Sequence, residues 1–356
     1  MPFTWNPPRS RRLLLSITPV LALAASLSLP AQASPGAAPQ AATAQADTHQ
    51  TRIVKRQNLQ PVSYTSGDAP GGRIRVGVRN SSPQDNDIIV HRPSAKATGI
   101  APLTSQAALH SEVAFVQDLE SFDVLYDKNS DEVRPIASIS KLMTALVVAE
   151  AGLPMEEKLT IADADVDRLR HSRSRLAVGT ELSRADMLHL ALMSSENRAA
   201  HALGRYYPGG MPAFVRAMND KARALGMRNT HFVEPTGLSS DNVSTPRDLV
   251  KLLRATSQQK LIQRYTTDDK YEITVGRGRQ LVYNNTNRLV SNAKWDIQVS
   301  KTGFINEAGE CLVMLTRIDQ RDVAIVLLNS SGRYSRIGDA VRIRTLVENE
   351  SNLAML

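Results

Sequence analysis

Cysteine occurs once in 356 residues, as Cys311 within the apolar stretch CLVML. That excludes an intramolecular disulfide, and a lone thiol among aliphatic neighbours reads as a buried structural group, not a nucleophile. None of the seven histidines pairs with another at metal-ligand spacing, so no metal is expected. No segment after residue 29 is long and apolar enough to span a membrane. Acidic residues are missing from the first 33 positions, and this matters for the formal net charge of +8. Residues 1–33 contribute +3, and residues 34–104, with eight Lys or Arg against four Asp, contribute +4. The remainder carries +1, which removes the case for a nucleic-acid groove.

What is present begins with a leader. Arg9, Arg11 and Arg12 precede an apolar run from Leu13 to Leu29, and Ala31-Gln32-Ala33 offers small residues for cleavage before Ser34. This reads as an export signal over 1–33, leaving no membrane anchor after cleavage and placing the chain in the periplasm; an uncleaved anchor is the alternative. Ser10-Arg11-Arg12 hints at the twin-arginine route, though a plain basic start serves as well. Residues 34–104 are polar and rich in Ala, Pro, Gln and Gly, which predicts a disordered basic arm with a short strand at Ile74 to Val78.

From residue 105 to about 350 the pattern is that of a folded domain. EVAFVQDLESFDVLYDKN reads as a hairpin. A helix follows, then a mainly helical insertion over about 155–260, in which Thr245 as N-cap and Pro246 at the first position mark one clear start. YEITV, RQLVY, DIQVSKTG, CLVMLTRI and DVAIVLLN read as strands, and a last helix runs from about Ser335 to Val347. That order predicts an antiparallel sheet built by both ends of one domain, with helices inserted between them.

One helix raises a chemical question. In PIASISKLMTALVVAEA, Ile139, Leu142, Met143, Leu146 and Val147 form one apolar stripe, and Ala145 and Val148 make the opposite face apolar as well. Ser138 and Lys141 lie one turn apart on that enclosed helix. The plain reading is a serine at a helix start with a lysine that snorkels outward. The chemical reading is a desolvated amine of lowered pKa serving as base to a serine nucleophile. Two further motifs favour the second. Ser195-Glu196-Asn197 is a polar break between apolar helices, and Lys301-Thr302-Gly303 ends a strand. Ser257-Gln258-Gln259-Lys260 and Ser240-Asp241-Asn242 repeat two of these spellings, but in polar surroundings.

The ordered set S-x-x-K, S-x-N and K-T-G resembles the penicillin-recognising serine enzymes. ASISKLMTA, LMSSENRAA, EPTGLSSDN, NNTNRLV and KTGFINEAGECLVML look most like low-molecular-mass penicillin-binding proteins, specifically the periplasmic D-alanyl-D-alanine endopeptidases. The central motif departs slightly, reading S-E-N where that branch usually has S-D-N. The resemblance implies an α+β fold of the β-lactamase and D,D-peptidase type, an antiparallel sheet flanked by helices with an inserted helical subdomain. It implies a serine D,D-endopeptidase that cuts D-alanyl-diaminopimelate crosslinks of peptidoglycan without a cofactor and is acylated by β-lactams. Ser138 would be the nucleophile and Lys141 its base. Ser195 and Lys301 would relay the proton to the leaving amine, and Asn197 would bind the substrate backbone. Lys301 and Thr302 would face the substrate carboxylate, with Gly303 beside them, and the amides of Ser138 and Phe304 would hold the oxyanion.

Three rivals remain. A class A β-lactamase needs a further glutamate in an E-x-x-L-N signature after Ser195, and Glu234-Pro235-Thr236 is not that sequence. A D,D-carboxypeptidase usually appends a β-rich domain and an amphipathic anchor, whereas this chain stops soon after its last helix. A catalytically dead peptidoglycan-binding module would not need all five polar groups intact.

Overall fold

In the computed structural model, which describes residues 109–332 and 334–354, the chain enters through the expected hairpin of β1 (Ser111–Asp118) and β2 (Val124–Lys128). The leader, the basic arm and the strand expected at Ile74 to Val78 lie outside the described residues. A short β3 (Arg134–Pro135) and a 3-10 turn, Ala137–Ile139, lead into α1 (Ser140–Glu150). Next come the paired strands β4 (Lys158–Thr160) and β5 (Glu181–Ser183), then α2 (Arg184–Met193), α3 (Asn197–Arg205) and α4 (Gly210–Ala224). After β6 (Val243–Ser244), which pairs with β3, the chain forms α5 (Pro246–Thr256) and α6 (Lys260–Thr267). Thr245 and Pro246 start α5 as expected: the Thr245 hydroxyl accepts a hydrogen bond from the Asp248 amide.

The hairpin β7 (Lys270–Val275) and β8 (Arg279–Asn284) precedes β9 (Asp296–Ile305), β10 (Gly309–Ile318), β11 (Arg321–Ser330) and α7 (Ser335–Ala354). The main sheet is antiparallel in the order β2-β1-β11-β10-β9, so both ends of the described chain build it. The hairpin β7–β8 stands apart as its own ladder. Its buried residues, Ile273, Leu281 and Tyr283, supply one apolar face and no second one, so it covers the helical body instead of entering the sheet.

Period-two alternation sorts the sheet into two cores. Leu312, Met314, Ile325 and Leu327 face Ala340, Ile343 and Val347 of α7. Val313, Leu315, Val326 and Leu328 face the opposite way, into the larger core shared with α1, α2 and α5. Each such side chain, fully buried, contributes roughly 1.5–3 kcal/mol. Within that larger core α1 is enclosed from Ser140 to Val148 without interruption. Lys141 therefore has no path to snorkel, and its ammonium must find partners inside.

Candidate active site

Ser138 occupies the 3-10 turn immediately before α1 rather than the helix proper. Strand β9 presses on that turn. A β-carbon added to Gly303 would lie 3.1 Å from the Ser138 amide nitrogen and 3.1 Å from the Ile136 carbonyl oxygen, a tight contact that glycine relieves. Behind the serine, Lys141 is completely buried, and its Nζ lies 2.8 Å from Ser138 Oγ, 2.8 Å from Asn197 Oδ1 and 2.6 Å from the Thr236 carbonyl oxygen. The last two are acceptors, whereas a hydroxyl can also donate. The ammonium form donates to all three; the neutral amine, with two N–H bonds and one lone pair, can donate to Asn197 and Thr236 and accept from Ser138. Burial pushes the Lys141 pKa down to about 8, against the pull of Glu234 and Glu196.

Ser195 and Asn197 are delivered by the break between α2 and α3. Ser195 adopts a left-handed backbone, φ 62°, which costs a residue with a side chain roughly 1–2 kcal/mol. That conformation sets its hydroxyl 3.0 Å from Lys301 Nζ. Glu196 caps α3, its carboxylate accepting from the Arg198 amide, so the departure from S-D-N falls at a helix cap. Asn197 donates through Nδ2 to Ser172 Oγ at 2.9 Å, which fixes Oδ1 toward Lys141.

On β9, Lys301 shares a sheet face with the core residues Val299 and Ile305, so its side chain runs inward and is buried. Its amine donates to Ser195 Oγ and to the Thr302 carbonyl at 2.9 Å. Burial, with Lys141 and Arg336 nearby, holds its pKa well below the ordinary lysine value. Thr302 Oγ1 donates to Thr286 Oγ1 at 2.7 Å, and Phe304 stands exposed at the rim. Ser138, Ser195, Asn197, Thr302, Gly303 and Phe304 line one cavity of about 440 Å³, with Lys141 and Lys301 beneath it. All eight residues expected from the sequence converge there.

The cavity is built around a serine with a buried lysine amine 2.8 Å from its hydroxyl, and the family model described as D-alanyl-D-alanine carboxypeptidase matches residues 101–332. The chain belongs to this peptidase family. The peptidase is a serine-type hydrolase, 50% identical over 258 residues to the D-alanyl-D-alanine endopeptidase of Escherichia coli (strain K12), covering 72% of this chain and 83% of that protein. It is equally 50% identical, over 256 residues, to the D-alanyl-D-alanine endopeptidase of Pseudomonas aeruginosa, with coverage of 72% and 83%. Its fold matches penicillin-binding protein D2 from Listeria monocytogenes in the ampicillin-bound form, with a TM-score of 0.58, 30% identity, and 68% of this chain and 98% of that chain covered.

The two repeat spellings part company in the peptidase. Ser257 caps the end of α5, its hydroxyl donating to the Arg254 carbonyl, and Lys260 is exposed. Asn242, expected in polar surroundings, is instead fully buried. Its Oδ1 accepts from the Val233 and Glu234 amides, and its Nδ2 donates to Ser140 Oγ and the Glu234 carbonyl. Glu234 in turn accepts from the amides of Thr236 and Gly237. The segment EPTGL is thus a braced loop that presents the Thr236 carbonyl to Lys141. In the sequence, EPTGLSSDN and NNTNRLV carry a resemblance but no role for any single residue. A carbonyl acceptor leaves no residue-type signature, which is why Thr236 went unseen; Asn285, Thr286 and Arg288, which line the cavity, had only that quoted stretch to mark them.

Proposed function

We propose that this protein is a serine D,D-endopeptidase that hydrolyses D-alanyl-diaminopimelate crosslinks of peptidoglycan in the periplasm, after cleavage of its signal peptide. The observation that carries the chemistry is the buried Lys141 amine, 2.8 Å from Ser138 Oγ with two obligate acceptors on its remaining bonds. Ser138 Oγ attacks the D-alanyl carbonyl while Lys141 takes its proton. The oxyanion forms between the amides of Ser138 and Phe304. The proton passes through Ser195 and Lys301 to the leaving amine, and the acyl group stays as an ester on Ser138. Water then attacks that ester and regenerates the hydroxyl. Asn197 aligns the substrate backbone, and Thr302, beside Gly303, hydrogen-bonds the carboxylate next to the leaving amine.

β-Lactams should acylate the same serine, as the ampicillin-bound relative supports. No carboxylate is found among the described residues lining the cavity, so no acidic base is placed there to activate water against a penicilloyl ester. That favours a persistent adduct over β-lactamase turnover. Mass spectrometry of the penicillin-treated protein tests the assignment: one adduct is expected on the peptide carrying Ser138, and none in Ser138→Ala, which should also lose all hydrolysis. Full labelling of that variant would overturn it. The carboxypeptidase reading, favoured by the description of the family model, is separated by products. Tetra-tetra dimers should be converted to monomers at least tenfold faster than D-alanine is released from monomeric pentapeptide.

A further inference from the structure

The cavity does not end at Thr302. Arg288 lines this cavity together with Thr302 and Thr286, and it also borders a second hollow of about 400 Å³ that shares Asn285 and Arg288 with the first. Thr302 stands where the carboxylate beside the leaving amine would be held, so the hollow continues on the leaving-group side. A leaving peptide offers this path more groups to bind than a single amino acid does.

The positive charge along this path is unevenly available. Lys301 is buried and its amine already serves Ser195 and the Thr302 carbonyl. Arg336 pairs with Glu310 and donates to the Gly303 carbonyl at 2.9 Å. In the second hollow, Lys270 pairs with Glu272 at 2.5 Å, and Asp269 would repel an anion placed against it. Arg288 is exposed, its guanidinium 5.6 Å from the centre of the Tyr334 ring, and among the described residues no carboxylate pairs with it. It therefore stands at the junction of the two hollows as a planar, permanently charged fork suited to a carboxylate.

We propose that Arg288 is a specificity-determining residue that binds a second carboxylate on the leaving peptide, the C-terminal D-alanine carboxylate of a crosslink's acceptor strand. This rests on the endopeptidase reading and deepens it. Free D-alanine, the leaving group of a carboxypeptidase, carries one carboxylate, beside its amine, and has nothing to offer Arg288. An acceptor tetrapeptide carries both. Arg288 thus supplies the discrimination between the two leaving groups that Lys301 and Thr302 cannot, because they face a feature common to both.

The test compares two purified tetra-tetra dimers, one with the acceptor's terminal carboxylate free and one with it converted to the carboxamide, on the full mature protein and on Arg288→Ala and Arg288→Lys. The wild-type enzyme is expected to cleave the free dimer about tenfold faster in kcat/KM than the amide, a comparison that needs no variant. Arg288→Ala should cut both dimers at one reduced rate, and Arg288→Lys should recover part of the preference. Stoichiometric labelling by a fluorescent penicillin counts the folded sites in each variant. Equal wild-type rates on the two dimers, or an undiminished preference in Arg288→Ala, would overturn the role of Arg288 while leaving the endopeptidase standing. A wild-type enzyme that leaves both dimers intact but releases D-alanine from pentapeptide would remove the endopeptidase reading itself, and this one with it.

Discussion

At the scale of single residues, the proposed chemistry depends on the protonation of Lys141. Its pKa near 8 leaves about one molecule in ten with a neutral amine at pH 7, and that fraction grows as pH rises. Because the neutral form is the base, the acylation rate by a penicillin should climb through about pH 8 and level off above it. A rate that is flat from pH 6 to 9 would remove Lys141 from that role. Lys141→Arg should fail at every pH in this range, since a guanidinium does not deprotonate. Cys311 shows the contrasting case. It is buried, and burial raises its thiol to about 11, which fits the structural role read from its apolar neighbours.

At the scale of elements, the braced loop from Val233 to Asn242 does work that neither α1 nor β9 can do for itself. It closes over α1, where Thr144 Oγ1 donates to the Pro235 carbonyl at 2.7 Å and Lys141 donates to the carbonyl of Thr236. Gly237, φ +80°, passes so close to the Ala137 carbonyl that a β-carbon would sit 1.8 Å from it. Asn242→Ala would take a hydrogen-bond partner from two amides, the Glu234 carbonyl and the Ser140 hydroxyl, at about 1–3 kcal/mol for each group left unsatisfied. Its thermal midpoint should fall by several degrees. Below that midpoint its acylation rate should fall less than that of Asn197→Ala, because Asn197 lines the cavity and Asn242 does not. A greater kinetic loss in Asn242→Ala would transfer the substrate-facing role to the wrong motif.

At the scale of the whole molecule, the two ends of the described chain are joined at one buried carboxylate. Asp339 of α7 accepts from the His110 amide at 3.0 Å, the Ser111 amide at 2.7 Å and Ser111 Oγ at 2.7 Å, and pairs with Arg342 at 3.0 Å. This clasp fixes the entry of β1 against α7, on the face of the sheet opposite Lys141 and Lys301. Asp339→Ala should therefore destabilise the fold by roughly 2–4 kcal/mol, from the buried donors it leaves unsatisfied. Denaturant unfolding should show that loss with full penicillin labelling retained in the absence of denaturant. Loss of labelling at full folding would tie the clasp to the site instead.

The amino-acid sequence by itself determined the parts whose signals are local. A cap and a proline start α5, two-residue alternation writes the strands of both cores, and three short motifs, with the Phe304 that follows the last, name the eight residues that meet at the cavity. Tertiary structure decided what depends on partners far along the chain. Lys141 is held by the Thr236 carbonyl, 95 positions away, and a backbone oxygen has no residue type to read. Asn242 looked polar because its neighbours in sequence are polar, while its neighbours in space bury it completely. Arg288 looks like any surface arginine until the fold joins its hollow to the cavity of Ser138. Periodicity and capping are short-range physics, whereas the proton affinity of a buried amine and the reach of a cleft belong to the packed whole.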